Sequence, residues 1–162
     1  RRGLSLLPQE TSVFKGLSVL DNLKVASELH QPRQKKQAKN EAIDNLLIQF
    51  GLKKIKERRG KFLSGGEKRR LELARLLVNS PRYVLLDEPF AGVDPISINE
   101  IKGHISSLAR EKIGVLITDH NAADILDICD NVYVMKDGAI IFKGDPATVA
   151  ADETVKSIYL GN

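Results

Sequence analysis

The sequence predicts an α/β fold built on a parallel sheet, and three observations support this prediction. Apolar runs at residues 83–86 and 114–117 are typical of short buried strands. A helical pattern begins at Ser64, before the first run, and another begins at Pro95, between the two runs. Strands that alternate with helices favour a parallel sheet with crossover connections. In such a sheet the ligand site lies at the carboxyl ends of the strands.

A helical block precedes this alternating part. Residues 3–14 are interpreted as a short strand followed by a loop, and Ser18 as the cap of a first helix. A second helix over residues 38–50 ends at Gly51, which can adopt the left-handed conformation at a helix end. We expect one partial domain over residues 1–162, in which residues 10–63 form a loop and a helical subdomain and residues 64–162 continue the core.

The C-terminal part predicts a hairpin and short helices. Residues 132–135 and 139–142 are apolar runs joined through Asp137-Gly138, a dipeptide that favours a tight hairpin turn. Residues 146–160 are interpreted as short helices.

Composition excludes several classes of protein. No window approaches the roughly 20 apolar residues that a membrane span needs. The single cysteine, Cys129, allows neither an internal disulfide nor a thiol zinc cluster. The net charge of +4 comes mainly from residues 53–75, where few aromatic side chains could stack on bases. We therefore expect no nucleic-acid partner, and interpret this surface as a solvated basic face toward anionic lipid headgroups or a partner protein. The simplest localisation is cytoplasmic.

The run Leu63-Ser64-Gly65-Gly66-Glu67 opens a helix. Ser64 and Glu67 have the spacing of a capping box, which is a purely structural explanation. The glycine pair lies in the first turn, where alanine would stabilise the helix by up to about 1 kcal/mol per position. Because a helix N-terminus has free amides and a partial positive charge, we interpret the glycines as room for a phosphate.

Two adjacent acids, Asp87 and Glu88, end the apolar run at residues 83–86. The structural alternative is a strand that runs into a polar turn. In phosphoryl-transfer sites, an acid at this place holds magnesium and its neighbour polarises the attacking water. The sequence predicts these two roles for Asp87 and Glu88.

Three further residues are candidates for the same site. Asp94 precedes Pro95 and is sufficiently explained as a helix cap. His120 follows the strand at residues 114–117 and is predicted to reach the same sheet edge, where it could donate to a phosphate. Gln9 alone is weak evidence for a functional site, because glutamine is common in loops. His30 and His104 lie on predicted helices and are interpreted as surface residues.

Taken in order, these five segments resemble the Q-loop, signature, Walker B, D-loop and switch histidine of ABC ATPases: Gln9, Leu63-Ser64-Gly65-Gly66-Glu67, Leu86-Asp87-Glu88-Pro89, Asp94 and His120. Residues 87–97 and 118–121, with Tyr159-Leu160-Gly161, are similar to the lipopolysaccharide-export branch of the family in Gram-negative bacteria. Branched-chain amino-acid importers are the near alternative. The resemblance implies a P-loop NTPase-like (RecA-like) core with an inserted helical subdomain.

The resemblance also implies a mechanism with ATP and Mg²⁺ as cofactors. Asp87 and Gln9 would contact the metal, and Glu88 would be the base. Gln9 would also sense the attacking water, and His120 would hold the terminal phosphate. In a homodimer, Ser64, Gly65, Gly66 and Glu67 would bind the nucleotide of the other copy, and Asp94 would link the two sites.

The partner surface follows from the same resemblance. Transmembrane permease subunits would dock on the Q-loop and the helical subdomain, around Phe14 and Leu17. The subunit would then lie on the cytoplasmic face of the inner membrane.

One family motif has no counterpart in the sequence. The P-loop should precede Gln9, yet only eight residues do so, and Gly60-Lys61 is followed by Phe62 rather than by serine or threonine. We therefore expect that the chain is the C-terminal part of a subunit, and that these residues alone bind ATP poorly and hydrolyse it hardly at all.

Two other function classes remain open from sequence. One is an ABC-type ATPase that acts on nucleic acid or ribosomes, against which the compact helical block argues. The other is a noncatalytic docking module, against which the presence of both Glu88 and His120 argues.

Overall fold

The computed structural model describes residues 3–30 and 35–156. Its central sheet has three parallel strands in the order β1-β2-β3, namely β1 (Leu4–Leu7), β2 (Tyr83–Asp87) and β3 (Gly114–Thr118). The register pairs Leu7 with Leu86 and Asp87 with Thr118. The predicted α/β fold with a parallel sheet is confirmed, and the strands end together at one edge.

The helices of this part of the chain follow the predicted pattern. Two 3-10 turns, Lys53–Ile55 and Gly60–Phe62, connect the second helix to the third. The four long helices are α1 (Val19–His30), α2 (Lys36–Gln49), α3 (Gly65–Leu77) and α4 (Pro95–Arg110).

The core lies on one face of the sheet. Val84 and Leu86 of β2 are fully buried, as are Leu71 of α3 and Ile101 of α4. Alternate residues of a strand point to opposite sides, and the described residues leave the opposite face largely uncovered. Its apolar side chains, each more than half exposed, are Leu4, Leu6, Tyr83 and Leu116.

The helical block has the caps that the sequence predicts. The Ser18 hydroxyl accepts a hydrogen bond from the Asp21 amide at 3.0 Å, at the start of α1. Gly51 follows α2 with a φ of 65°, the left-handed conformation expected there. The buried Asn22 side chain accepts from the Phe14 amide and donates to the Phe14 carbonyl. The loop before α1 is therefore held in one conformation.

The chain divides into two compact units, Arg1–Thr118 and Asp119–Asn162. The second unit contains α5 (Ala122–Ile128), the hairpin strands β4 (Val132–Lys136) and β5 (Ala139–Gly144), and the short helices α6 (Pro146–Ala151) and α7 (Glu153–Val155). The predicted hairpin is confirmed, with positive φ at both Asp137 and Gly138. The expected subdivision at residues 63 and 64 stays a prediction.

Several expectations need correction or fall outside the described residues. His104 is half-buried rather than on the surface, and its ring lies 4.7 Å from that of Phe50. The His30 side chain and the segment Tyr159-Leu160-Gly161 lie outside what the structure describes. Cys129 is half-buried, and burial raises the pKa of its thiol. Within residues 3–30 and 35–156, no helix is both long and apolar enough to cross a bilayer.

Candidate active site

The predicted acidic pair lies at the carboxyl end of β2. Asp87 is the last residue of the strand, and its carboxylate accepts a hydrogen bond from the Thr118 hydroxyl at 2.6 Å. Thr118 ends the neighbouring strand β3, so the parallel register brings the two side chains together. This is the sheet edge at which α/β proteins bind their ligands.

Glu88 follows with an unusual backbone conformation. Its φ is 44°, in the left-handed region that non-glycine residues rarely adopt. Both of its backbone groups are held: the amide donates to the Thr118 carbonyl at 2.8 Å, and the carbonyl accepts from Arg69 at 2.5 Å. Such a conformation is kept only where its surroundings enforce it, and it is frequent at functional sites.

Gln9 reaches the same place from the end of β1. Its side-chain amide donates to the Glu88 carboxylate at 2.7 Å. The three parallel strands therefore deliver Gln9, the pair Asp87 and Glu88, and Thr118 to one edge. A carboxylate with an amide donor beside it can orient and polarise a water molecule.

Arg69 is a component of the site that sequence reasoning missed. It is only 4% exposed, and its guanidinium donates to the carbonyls of Pro89 at 2.8 Å, Glu88 at 2.5 Å and Pro8 at 3.2 Å. It also pairs with the buried carboxylate of Glu72 at 3.2 Å. One side chain of α3 thus fixes both the residue before Gln9 and the turn that contains Glu88.

A signal for this pair exists in the sequence. Residues three and four apart share one face of a helix, and Arg69 shares a face of α3 with Gly66, Glu72 and Leu73. A charged side chain on the buried side of a helix needs a partner of opposite charge or hydrogen bonds, because burying an unpaired charge is costly. The opposite charge at Glu72, three residues on, was the available evidence that the partner lies on the same helix.

The capping box at the start of α3 is confirmed. The Ser64 hydroxyl accepts from the Glu67 amide at 3.2 Å, and the Glu67 carboxylate accepts from the Ser64 amide at 2.9 Å. Glu67 also pairs with Arg58 at 2.9 Å. The side chains of Ser64 and Glu67 therefore already have structural roles within the chain.

The two glycines have a packing reason that the sequence interpretation did not include. A Cβ on Gly65 would lie 2.7 Å from the Gly92 carbonyl oxygen, and a Cβ on Gly66 would overlap with the Ser97 side chain. Gly65 lets the start of α3 approach the turn before α4, and Gly66 lets it approach the first turn of α4. Room for a phosphate is thus not needed to explain them, and phosphate binding by these residues stays a prediction.

Asp94 caps α4, as the structural explanation required. Its carboxylate accepts from the Ser97 amide at 3.0 Å, and Pro95 occupies the first turn of the helix. This backbone hydrogen bond lowers the pKa of Asp94 below its ordinary value. The carboxyl group is exposed, and its role toward a ligand or a second chain stays a prediction.

His120 belongs to the second unit and is described there by itself. Its side chain is 78% exposed, and its Nδ1 lies 3.7 Å from the Asp119 carboxylate. Asp119 also accepts from the Asn121 amide at 2.9 Å. The predicted contact between His120 and a phosphate stays a prediction.

The donor set fits magnesium bound together with a nucleotide. Mg²⁺ prefers oxygen ligands and is usually held by one or two carboxylates together with phosphate oxygens. The Asp87 carboxylate and the amide of Gln9 offer oxygen atoms of this kind. In the described part of the chain, no group of three or more His, Cys, Asp or Glu residues could hold a metal ion.

Known proteins are similar to this chain in sequence. The ABC transporter family model matches residues 1–91. The lipopolysaccharide export system ATP-binding protein LptB of Haemophilus influenzae is 46% identical over 161 residues, which are 99% of this chain and 66% of that protein. The same protein of Escherichia coli K12 is 44% identical, with the same coverage. The chain thus spans slightly less than two thirds of the length of these relatives.

Solved structures show the same fold. The chain is similar to CbiO1 of Clostridium perfringens, described as part of an ABC transporter complex, with a TM-score of 0.84 and 29% identity over 99% of this chain and 64% of that one. It is also similar to an ATP-binding cassette in its ADP conformation, with a TM-score of 0.80 and 28% identity over 99% of this chain and 69% of that one. The α/β cassette fold is therefore shared across these proteins.

Proposed function

Because this chain belongs to the ABC transporter family, we propose that it is part of a subunit that hydrolyses ATP to drive a transporter. The observation that carries the proposal is the hydrogen bond of 2.7 Å from Gln9 to Glu88, beside Asp87 at the carboxyl ends of parallel strands. This arrangement suits a metal-assisted attack of water on a terminal phosphate.

Each candidate residue has a separate task in this proposal. Glu88 is the base that accepts a proton from the attacking water, and Gln9 orients that water beside it. Asp87 and Gln9 would hold Mg²⁺, which neutralises charge on the phosphates when bound. His120 holds the terminal phosphate by donating a hydrogen bond to it. Hydrogen bonds from Thr118 and Arg69 keep Asp87 and Glu88 in place.

A second copy of the subunit completes the site. Ser64 and Gly65 are exposed at the start of α3, where free amides favour an anion. Gly66 is buried beside Ser97 and contributes through its backbone, while Glu67 holds the cap in place. These four residues bind the nucleotide of the other copy. Asp94, exposed at the start of α4, links the two sites across the homodimer.

The partners are transmembrane permease subunits, which place the protein on the cytoplasmic face of the inner membrane. Phe14 is 42% exposed although it is apolar, and its backbone is fixed by Asn22. The Arg75 guanidinium covers part of the Phe14 ring at 4.8 Å. An exposed aromatic residue held in one position beside Leu17 is suited to receive a helix of a partner.

The transported substrate is lipopolysaccharide. This part of the proposal rests on the two relatives that are 46% and 44% identical and are named for lipopolysaccharide export. A full-length gene that encodes this chain should therefore restore growth when the corresponding subunit of such a relative is depleted. Restoration of branched-chain amino-acid uptake without restored growth would instead favour the importer alternative.

The catalytic part of the proposal is tested in the full-length subunit. Glu88→Gln keeps the size of the side chain and removes the base, so ATP turnover should fall by about a hundredfold or more. Binding of ATP should persist in the variant, because the base does not hold the nucleotide. Unchanged turnover in Glu88→Gln would remove Glu88 from the mechanism.

A further inference from the structure

Two charged residues of α3 are almost completely buried. Arg69 is 4% exposed and Glu72 is 3% exposed, and they form an ion pair at 3.2 Å. A buried ion pair is weak as a source of stability, because losing water from both charges offsets their attraction. The position of this pair between two functional segments offers another reason for it.

Glu72 holds the loop that follows Gln9. Its Oε1 accepts from the Ser12 amide at 2.6 Å and from the Thr11 hydroxyl at 2.9 Å. Its Oε2 accepts from Arg69. The two oxygens of one carboxylate therefore face different partners, the loop on one side and the guanidinium on the other.

Arg69 extends this connection to the catalytic turn. Its other nitrogen atoms donate to the Glu88 and Pro89 carbonyls, next to the left-handed backbone of Glu88. Charge-assisted hydrogen bonds are shorter and stronger than neutral ones. The orientation of the guanidinium depends on Glu72, which is its carboxylate partner. A change at Glu72 should therefore alter how Arg69 holds Glu88.

The loop also reaches the proposed partner surface. The Ser12 carbonyl accepts from Arg75 at 2.5 Å, and Arg75 covers the Phe14 ring. Residues 11–14 are thus joined to α3 at two places, Glu72 and Arg75.

We propose that Glu72 is a positioning residue that connects the loop at residues 11–14 to Glu88 through Arg69. The inference rests on the proposed function, in which Glu88 is the base.

The test is Glu72→Gln in the full-length subunit. Glutamine has the same shape, but it keeps only one of the two oxygen acceptors and lacks the charge that orients Arg69. Because small displacements of a catalytic group are costly, kcat for ATP hydrolysis should fall by about tenfold. The KM for ATP should stay within about twofold, since Glu72 does not contact the nucleotide. A purely structural role would lower the melting temperature without this separation of kcat from KM.

Glu28→Gln is the matched control. Glu28 of α1 pairs with the buried Lys39 of α2 at 2.8 Å, so this variant also removes a carboxylate from a buried cation. The contact lies within the helical block and includes none of the active-site residues. Glu28→Gln should lower the melting temperature and leave kcat unchanged.

Thr11→Val tests the same connection from the loop side. It removes the hydroxyl that donates to Glu72 and keeps the shape of the side chain. Alone, Thr11→Val should lower kcat by about threefold. In the double variant with Glu72→Gln, the fold decrease in kcat should be smaller than the product of the two single decreases. Because Thr11 is exposed, this variant decides the question even if Glu72→Gln does not fold.

The outcomes separate this inference from the proposed function. Loss of turnover in Glu88→Gln with unchanged kcat in both Glu72→Gln and Thr11→Val would overturn the connection and keep the ATPase. Fully multiplicative effects of the two variants on kcat would also overturn it. Unchanged turnover in Glu88→Gln would reject the proposed function itself.

Discussion

The side-chain amide of Gln9 lies 2.7 Å from the carboxylate of Glu88, although 79 positions separate the two residues in the chain. The contact exists because β1 and β2 are parallel neighbours that end at the same edge. Gln9 is exposed and Glu88 is half-buried, so burial alone does not hold the pair together. Their pairing is therefore a property of the sheet register.

Replacing Gln9 by alanine removes this donor without touching the base. We expect Gln9→Ala in the full-length subunit to lower kcat by about tenfold, because the water beside Glu88 loses an orienting group. Gln37→Ala is the matched control, since Gln37 makes a similar exposed hydrogen bond to Glu41 at 3.0 Å on α2. Steady-state ATP hydrolysis measures both, and equal rates for the two variants would argue against a role for Gln9.

Gly66→Ala should destabilise the protein through packing. The new methyl group would overlap with Ser97, and relieving such a clash typically costs about 1–3 kcal/mol. Gly103 of α4 is the control, since no atom lies within 4 Å of an added Cβ there. Gly103→Ala should stabilise by about 0.5–1 kcal/mol, because alanine favours helix. Urea unfolding measures both, and a neutral Gly66→Ala would contradict the packing explanation.

His104 should make stability depend on pH. Burial lowers the pKa of His104 below its ordinary value of 6.5, and the positive charge of Arg70 lowers it further while Glu100 raises it. The unfolded chain then binds a proton more readily than the folded one. Stability is therefore complete above the unfolded pKa and declines as the pH falls through it.

His104→Gln removes this titration and tests the sign. Between about pH 7.5 and about pH 5, the wild type should lose more thermal stability than the variant, because only the wild type takes up this proton on unfolding. Thermal unfolding followed by circular dichroism measures both curves. Parallel curves would show that His104 does not titrate differently in the folded and unfolded states.

Phe14→Ala should weaken assembly with the permease while leaving the isolated subunit stable. Truncating an exposed aromatic anchor at an interface often costs about 2 kcal/mol or more of binding free energy. Ile140→Ala is the control, because Ile140 is 57% exposed on β5 and lies outside the proposed surface. Co-purification of the complex measures assembly, and equal yields from both variants would remove Phe14 from the interface.

The elements were predictable where one local pattern decides the outcome. The capping pair Ser64 and Glu67 and the Asp137-Gly138 turn have the predicted geometry, because the chemistry of each lies within a few residues of sequence. The parallel sheet followed from alternation of strands and helices. The acidic pair followed from its place at a strand end.

The missed features depend on contacts between distant segments. Arg69 holds carbonyls of Pro8, Glu88 and Pro89, which no local pattern indicates. The reason for Gly66 lies at Ser97, in the next helix. His104 was misread for the same cause, since the ring that covers it belongs to Phe50. Sequence periodicity finds the buried side of an element and does not identify what packs there.

The uncovered face of the three-stranded sheet has a colloidal consequence. Leu4, Leu6, Tyr83 and Leu116 place apolar surface in water next to one another, and contiguous patches of this kind promote self-association. A solution of these 162 residues alone should therefore scatter light and bind hydrophobic dyes at concentrations where the chain is still folded. Its shelf life would be limited by that face sooner than by the melting of its core.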